Sequence, residues 1–120
     1  MVDDDADGRE LIARILAECG ATVLTAPDAA MALATVRASR PDLMVSDIGM
    51  PDVDGFELLL RVRALGPGGG GNLPVIALTA FARPQDRQAS LRAGFTDHLT
   101  KPAKPHALIA AVAAAARRRP

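Results

Sequence analysis

The chain has 120 residues, 49% of them hydrophobic, which suits one domain with one modest core and excludes a disordered chain. Its 14 basic and 14 acidic residues cancel, so no global charge draws it to nucleic acid or anionic lipid. With three Phe, no Trp and no Tyr it lacks a stacking surface for single strands. No apolar run approaches the roughly 20 residues of a membrane helix, no signal segment is visible, and the single Cys19 cannot form an internal disulfide, so a cytoplasmic setting is expected.

In chain order, Met1-Val2 runs into Asp3, Asp4 and Asp5, with Asp7 close behind. Leu11, Ile12, Ile15 and Leu16 then recur at helical spacing, Cys19 is expected on a core-facing position, and Gly20 marks the stop. Thr22-Val23-Leu24-Thr25 predicts a short strand, and Pro27-Asp28 opens a helix carrying Met31, Leu33, Ala34 and Val36. Leu43-Met44-Val45 is a continuous apolar run, the pattern of a strand buried on both faces. Gly55 precedes a helix expected to turn Phe56, Leu59, Leu60 and Val62 inward. GPGGGG at 66–71 reads as a surface loop, because no Lys-Ser or Lys-Thr follows it and no helix starts from it. Pro74 to Leu78 forms the next buried strand, 84–93 a polar helix with Leu91, and Phe95 to Thr100 a last short strand. Pro105 opens the final helix, with Leu108, Ile109 and Val112, and Arg117-Arg118-Arg119 reads as its solvated end. Alternating strands and helices imply βα units and a parallel sheet covered on both faces.

The polar residues fall at the strand ends. Met1-Val2 ends in Asp3 and Asp4, Leu43 to Val45 runs through Ser46 into Asp47, Val75 to Leu78 ends at Thr79, and Leu99-Thr100 ends at Lys101. Each alone could be a turn residue or a helix cap. In an open parallel sheet, however, these ends lie on one edge, where ligands bind. Three carboxylates close together need a cation, and hard oxygen ligands suit Mg²⁺. A carboxylate oxygen could then attack a phosphorus to give an aspartyl phosphate, with Thr79 and Lys101 holding the other phosphoryl oxygens.

VDDD at 2–5, SDIGMPDVDG at 46–55, ALTA at 77–80 and HLTKP at 98–102 resemble the receiver domain of two-component response regulators, over essentially residues 1–120. GFTDHLTKP is most similar to receivers attached to hybrid sensor histidine kinases. The resemblance implies an α/β, flavodoxin-like, doubly wound parallel sheet of five strands in order 2-1-3-4-5, with five helices. It implies Asp47 as phosphoacceptor, Asp3 and Asp4 as the acidic pocket with Asp4 the direct Mg²⁺ ligand, and the Gly49 carbonyl as a further ligand. It makes Thr79 the switch hydroxyl and Lys101 the phosphate counter-ion, and it makes the Lys101–Pro102 peptide cis. The implied donor is a phosphohistidine on a histidine kinase or histidine phosphotransfer protein. The domain would promote its own phosphorylation and dephosphorylation and switch a surface at 84–118, through which a homodimer could form. Neither nucleic acid nor membrane is expected to touch it.

Two features depart from that pattern. His98 stands where the family usually has Tyr or Phe as the switch residue. The first strand is truncated, with only Met1 and Val2 ahead of Asp3 where a strand usually has about five residues; a native parent with apolar residues before Val2 is the expectation. Asp5, Asp7, Asp52 and Asp54 are expected outside the pocket, Asp7 serving the first helix and Asp54-Gly55 a turn into the third. Two rivals remain. One is a degenerate receiver that only binds a partner. The other is a haloacid dehalogenase-type phosphohydrolase, whose D-x-D-G motif Asp52-Val53-Asp54-Gly55 superficially resembles.

Overall fold

The computed structural model describes residues 1–50, 53–80 and 83–117, so the expectations for Asp52, Arg118 and Arg119 lie outside the described residues. In chain order the elements are α1 (Ala6–Glu18), α2 (Ala29–Ser39), β1 (Met44–Asp47), α3 (Gly55–Arg63), a 3-10 turn at Pro67–Gly69, β2 (Val75–Thr79), α4 (Pro84–Ala93), β3 (Asp97–Thr100) and α5 (Pro105–Arg117). Three strands pair in parallel in the order β1-β2-β3.

Every residue of β1 and β2 is buried, as their continuous apolar runs require of a sheet covered twice. Strand side chains alternate between faces, and the core divides accordingly. Met44, Val75 and Ala77 pack with α2 and α3, through Ala32, Val36, Leu58 and Val62. Val45, Ile76 and Leu78 face α1 and α5, through Ile12, Leu16, Leu108 and Ala111. The loop at 66–71 joins α3 to β2 as expected, and the Arg63 guanidinium binds it by donating to the carbonyls of Gly71 (2.9 Å) and Leu73 (2.6 Å).

Among the described residues the expected five-stranded sheet comprises three strands plus two isolated bridges, one parallel bridge from Val2 to Ala26 and one from Val2 to Ser46. Val2 donates to the Val45 carbonyl (2.8 Å) and accepts from the Asp47 amide (2.9 Å), while Met1 and Asp3 bond the backbone of Ala26 on the other side. The order across the sheet is therefore Ala26, Val2, β1, β2, β3. Thr22–Thr25 does not form the predicted strand, since a ladder needs a partner along its length and only one bridge reaches this side. Behind the bridge, the backbone at 22–26 and at 41–45 borders a cavity of about 580 Å³ with Leu16, Val36 and Val112 in its walls. The Met1 ammonium donates to the Leu24 carbonyl (2.8 Å) there, and burial lowers its pKa to about 6.

Two smaller expectations are corrected. Cys19 is exposed at the C-terminal cap of α1 rather than core-facing. In α3 the buried arc is Gly55, Leu58, Leu59 and Val62, whose spacing follows one helical stripe, and Leu60 turns outward with 63% exposure.

Candidate functional site

The strand ends converge as the sequence pattern requires. One carboxylate oxygen from each of Asp3, Asp4 and Asp47 lies within 4.8 Å of the others. The Lys101 ammonium sits between two of them, 3.2 Å from Asp3 Oδ2 and 3.1 Å from Asp47 Oδ1. Asp3 and Asp47 are buried, Asp4 is exposed, and Lys101 is half-buried, so the cluster is open on one side.

Local folding holds each group. Asp3 follows the bridging Val2; its Oδ1 accepts from the Asp5 amide (3.0 Å), and its carbonyl accepts from Arg9 Nη1 (2.8 Å). Asp47 ends β1, and its Oδ1 also accepts from the Gly49 amide (3.3 Å). Gly55 lets α3 start against this strand end, because a Cβ there would stand 2.7 Å from the Asp47 carbonyl oxygen and 2.7 Å from the Ile48 Cα. Thr79 ends β2, buried, and its carbonyl accepts from the Lys101 amide (2.7 Å). The Lys101–Pro102 peptide is cis. His98 pairs with Ala77 across the ladder, which puts its side chain on the same sheet face as Ala77 and Thr79. Its ring is buried, with Nδ1 2.9 Å from Ser90 Oγ.

One ammonium shared by crowded carboxylates sets the electrostatics. Burial raises the pKa of Asp47 above the ordinary carboxylate value, and the charge of Asp3 raises it further; the Lys101 hydrogen bond and charge and the Gly49 amide oppose this without cancelling it. For Lys101, burial alone would lower the pKa, but the hydrogen bond to Asp47 and the charges of Asp3 and Asp47 prevail and raise it.

The remaining acidic residues take other places. Asp5 caps α1 by accepting from the Gly8 amide (3.3 Å), Asp7 lies in its first turn, and Asp54 caps α3 by accepting from the Glu57 amide (2.9 Å). The second Asp of the D-x-D-G run is thus a helix cap. Arg9 and Ser90 bond Asp3 and His98 without having stood out in the sequence. Arg9 is six residues from the carbonyl it binds, and Ser90 is one more polar residue in a polar helix.

Residues 1–113 match the family described as response regulator receiver domain. An uncharacterized 14.6 kDa protein of Leptolyngbya boryana is 53% identical over 109 residues, covering 91% of this chain and 82% of that one. The transcriptional regulatory protein PrrA of Mycobacterium tuberculosis is 40% identical over 119 residues, covering 99% of this chain and 49% of that one. This chain thus spans about half the length of the mycobacterial regulators it matches. Among solved structures, the Francisella response regulator 1452 receiver domain superposes with a TM-score of 0.88 at 32% identity, covering 98% of this chain and 93% of that one. The NtrX receiver domain from Brucella abortus superposes with a TM-score of 0.87 at 32% identity, covering 98% and 96%. No helix among the described residues is long and apolar enough to cross a membrane. An acidic cluster at the carboxyl edge of a parallel α/β sheet, on a chain matched from residue 1 to 113, identifies the family: the chain belongs to the response regulator receiver domains.

Proposed function

We propose that this receiver works in the cytoplasm and accepts a phosphoryl group on Asp47 from a phosphohistidine of a histidine kinase or histidine phosphotransfer protein. The observation that carries the reading is the Lys101 ammonium at 3.2 and 3.1 Å from two buried carboxylates, with a third carboxylate beside them. An Asp47 oxygen forms the new bond to phosphorus, the phosphorus–nitrogen bond of the donor breaks, and the imidazole leaves with that electron pair and takes up a proton. Lys101, already beside Asp47, is the counter-charge for the phosphoryl oxygens, and Thr79 at the end of β2 is the hydroxyl that follows them.

The donor set fits Mg²⁺: three carboxylates offer hard oxygens within 4.8 Å of one another, and their charge exceeds that of the one ammonium among them. Asp4, Asp47 and the Gly49 carbonyl would hold the ion, with Asp3 completing the acidic pocket. When bound, Mg²⁺ supplies charge neutralisation between the acceptor carboxylate and the phosphoryl oxygens. The bridge order Ala26, Val2, β1, β2, β3 supports reading the architecture as 2-1-3-4-5 with its first two strands reduced to single bridges. We assign the readout to the face made by α4, β3 and α5, where a partner or a second copy would dock.

Incubation with acetyl phosphate and Mg²⁺ tests the reading. A covalent adduct on Asp47 is expected. Steady turnover of ordinary phosphomonoesters would instead indicate a phosphohydrolase, and no adduct at all would indicate a receiver that only binds.

A further inference from the structure

Helix α4 is attached to the sheet differently from the other four helices. Each of the others buries at least two apolar residues, whereas the one buried residue of α4 is Ser90, at 1% exposure. Its one large apolar side chain, Leu91, is 40% exposed. At its C-terminal end Gly94 adopts the left-handed cap, and Phe95 anchors the chain in the core edge-on against Phe56. Its first residues follow Arg83, which provides no side-chain cap.

Polar contacts join α4 to β3. Ser90 Oγ lies 2.9 Å from His98 Nδ1 and donates to the Asp86 carbonyl at 3.2 Å. Which of the two donates in the shorter contact depends on the tautomer of the ring. Arg87 adds a bond to the His98 carbonyl (3.2 Å) and a solvent-exposed contact to Asp97 (3.4 Å). A buried polar pair of this kind is directional: it is either made or broken, and breaking it leaves a buried ring nitrogen without its partner.

We propose that Ser90 is a positioning residue for His98, and that this pair, rather than apolar packing, is the catch that holds α4 against β3 and governs how readily the signalling face rearranges. Gly94 is the hinge about which α4 moves when the catch opens. The inference rests on the signalling reading of that face. Its test uses unphosphorylated protein, so failure of Asp47 to accept a phosphoryl group would leave the result standing.

Amide hydrogen exchange of the whole chain measures the catch. In Ser90→Ala, residues 85–93 should exchange about tenfold faster while α5 and β2 keep their rates. The double variant Ser90→Ala with His98→Phe lacks the pair altogether and should keep the fast exchange of α4, within about twofold of Ser90→Ala. His98→Phe alone keeps the Ser90 bond to Asp86 and serves as the control that folds without a buried polar ring. Unchanged exchange in α4 of Ser90→Ala would overturn the proposal. So would acceleration of α4 only in step with α5 and β2, or a double variant that exchanges as slowly as the wild type.

Discussion

Replacing Asp47 with Asn should stabilise this domain while removing the proposed phosphoryl acceptor. Asp47 is only 6% exposed, and burial together with the Asp3 charge holds its pKa above the ordinary 3.8. The Lys101 ammonium 3.1 Å away and the Gly49 amide offset the repulsion from Asp3, and burial is the largest effect. The unopposed remainder is the cost of holding a charge out of water. Asn removes that cost and leaves Lys101 paired with Asp3, so a gain of about 1 kcal/mol at neutral pH is expected. For a domain of this size that is about 3–5 °C in Tm. The gain should depend on pH. A raised carboxyl pKa means the folded wild type holds its proton more tightly than the unfolded chain, so this contribution is full below 3.8 and is lost as pH rises through the folded value. The advantage of Asn therefore vanishes in acid and grows toward neutrality. Lys101→Met should act in the opposite sense, because two buried carboxylates lose their shared cation. The loss should be about 1–3 kcal/mol, below the roughly 3–5 kcal/mol of a fully buried pair, since Lys101 is 32% exposed and screened. Denaturant midpoints of the three proteins at pH 4 and pH 7 measure both effects. An Asp47→Asn variant less stable than wild type at pH 7, or a gain equal at both pH values, would refute this electrostatic reasoning.

Three further outcomes are expected. Asp4→Ala should weaken Mg²⁺ binding at least tenfold in titration calorimetry with little change in Tm, because it removes the exposed carboxylate proposed as a direct ligand; unchanged affinity would remove Asp4 from the proposed ligand set. The lowered Met1 amine, titrating near 6 when folded against 8.0 when free, should make stability rise by about 2 kcal/mol as pH climbs from 6 to 8, and acetylating that amine should flatten the rise. An Ile-Leu-Val extension grafted onto Met1 should enter the cavity bordered by 22–26 and 41–45 and raise the denaturant midpoint; an unchanged midpoint would mean that the cavity does not accept a strand.

The parts of the fold legible in the sequence were those in which one residue type has one place to go. The short apolar runs of β1 and β2 fit strands buried on both faces, and polar residues recurring at the ends of several such runs point together to the carboxyl edge. Where several identical residues compete, the pattern underdetermines the answer. Leu58, Leu59 and Leu60 all fit a helical stripe, and only the position of the sheet selects the first two. Thr22–Thr25 has the alternation of a strand but not the partner that makes one. Ser90 was invisible because apolar periodicity does not register a buried hydroxyl, and Arg9 because its target carbonyl is a tertiary neighbour.

Phosphoramidate, whose phosphorus–nitrogen bond stands in for a phosphohistidine, provides the most direct measurement. The whole chain and its Asp47→Asn variant would be incubated with it and Mg²⁺, and the modified residue mapped by mass spectrometry after reductive trapping of the acyl phosphate. One adduct per chain is expected, on Asp47, dependent on Mg²⁺ and missing from the variant. Equal labelling of the variant, or an adduct on Asp3 or Asp4 in the wild type, would contradict Asp47 as the acceptor.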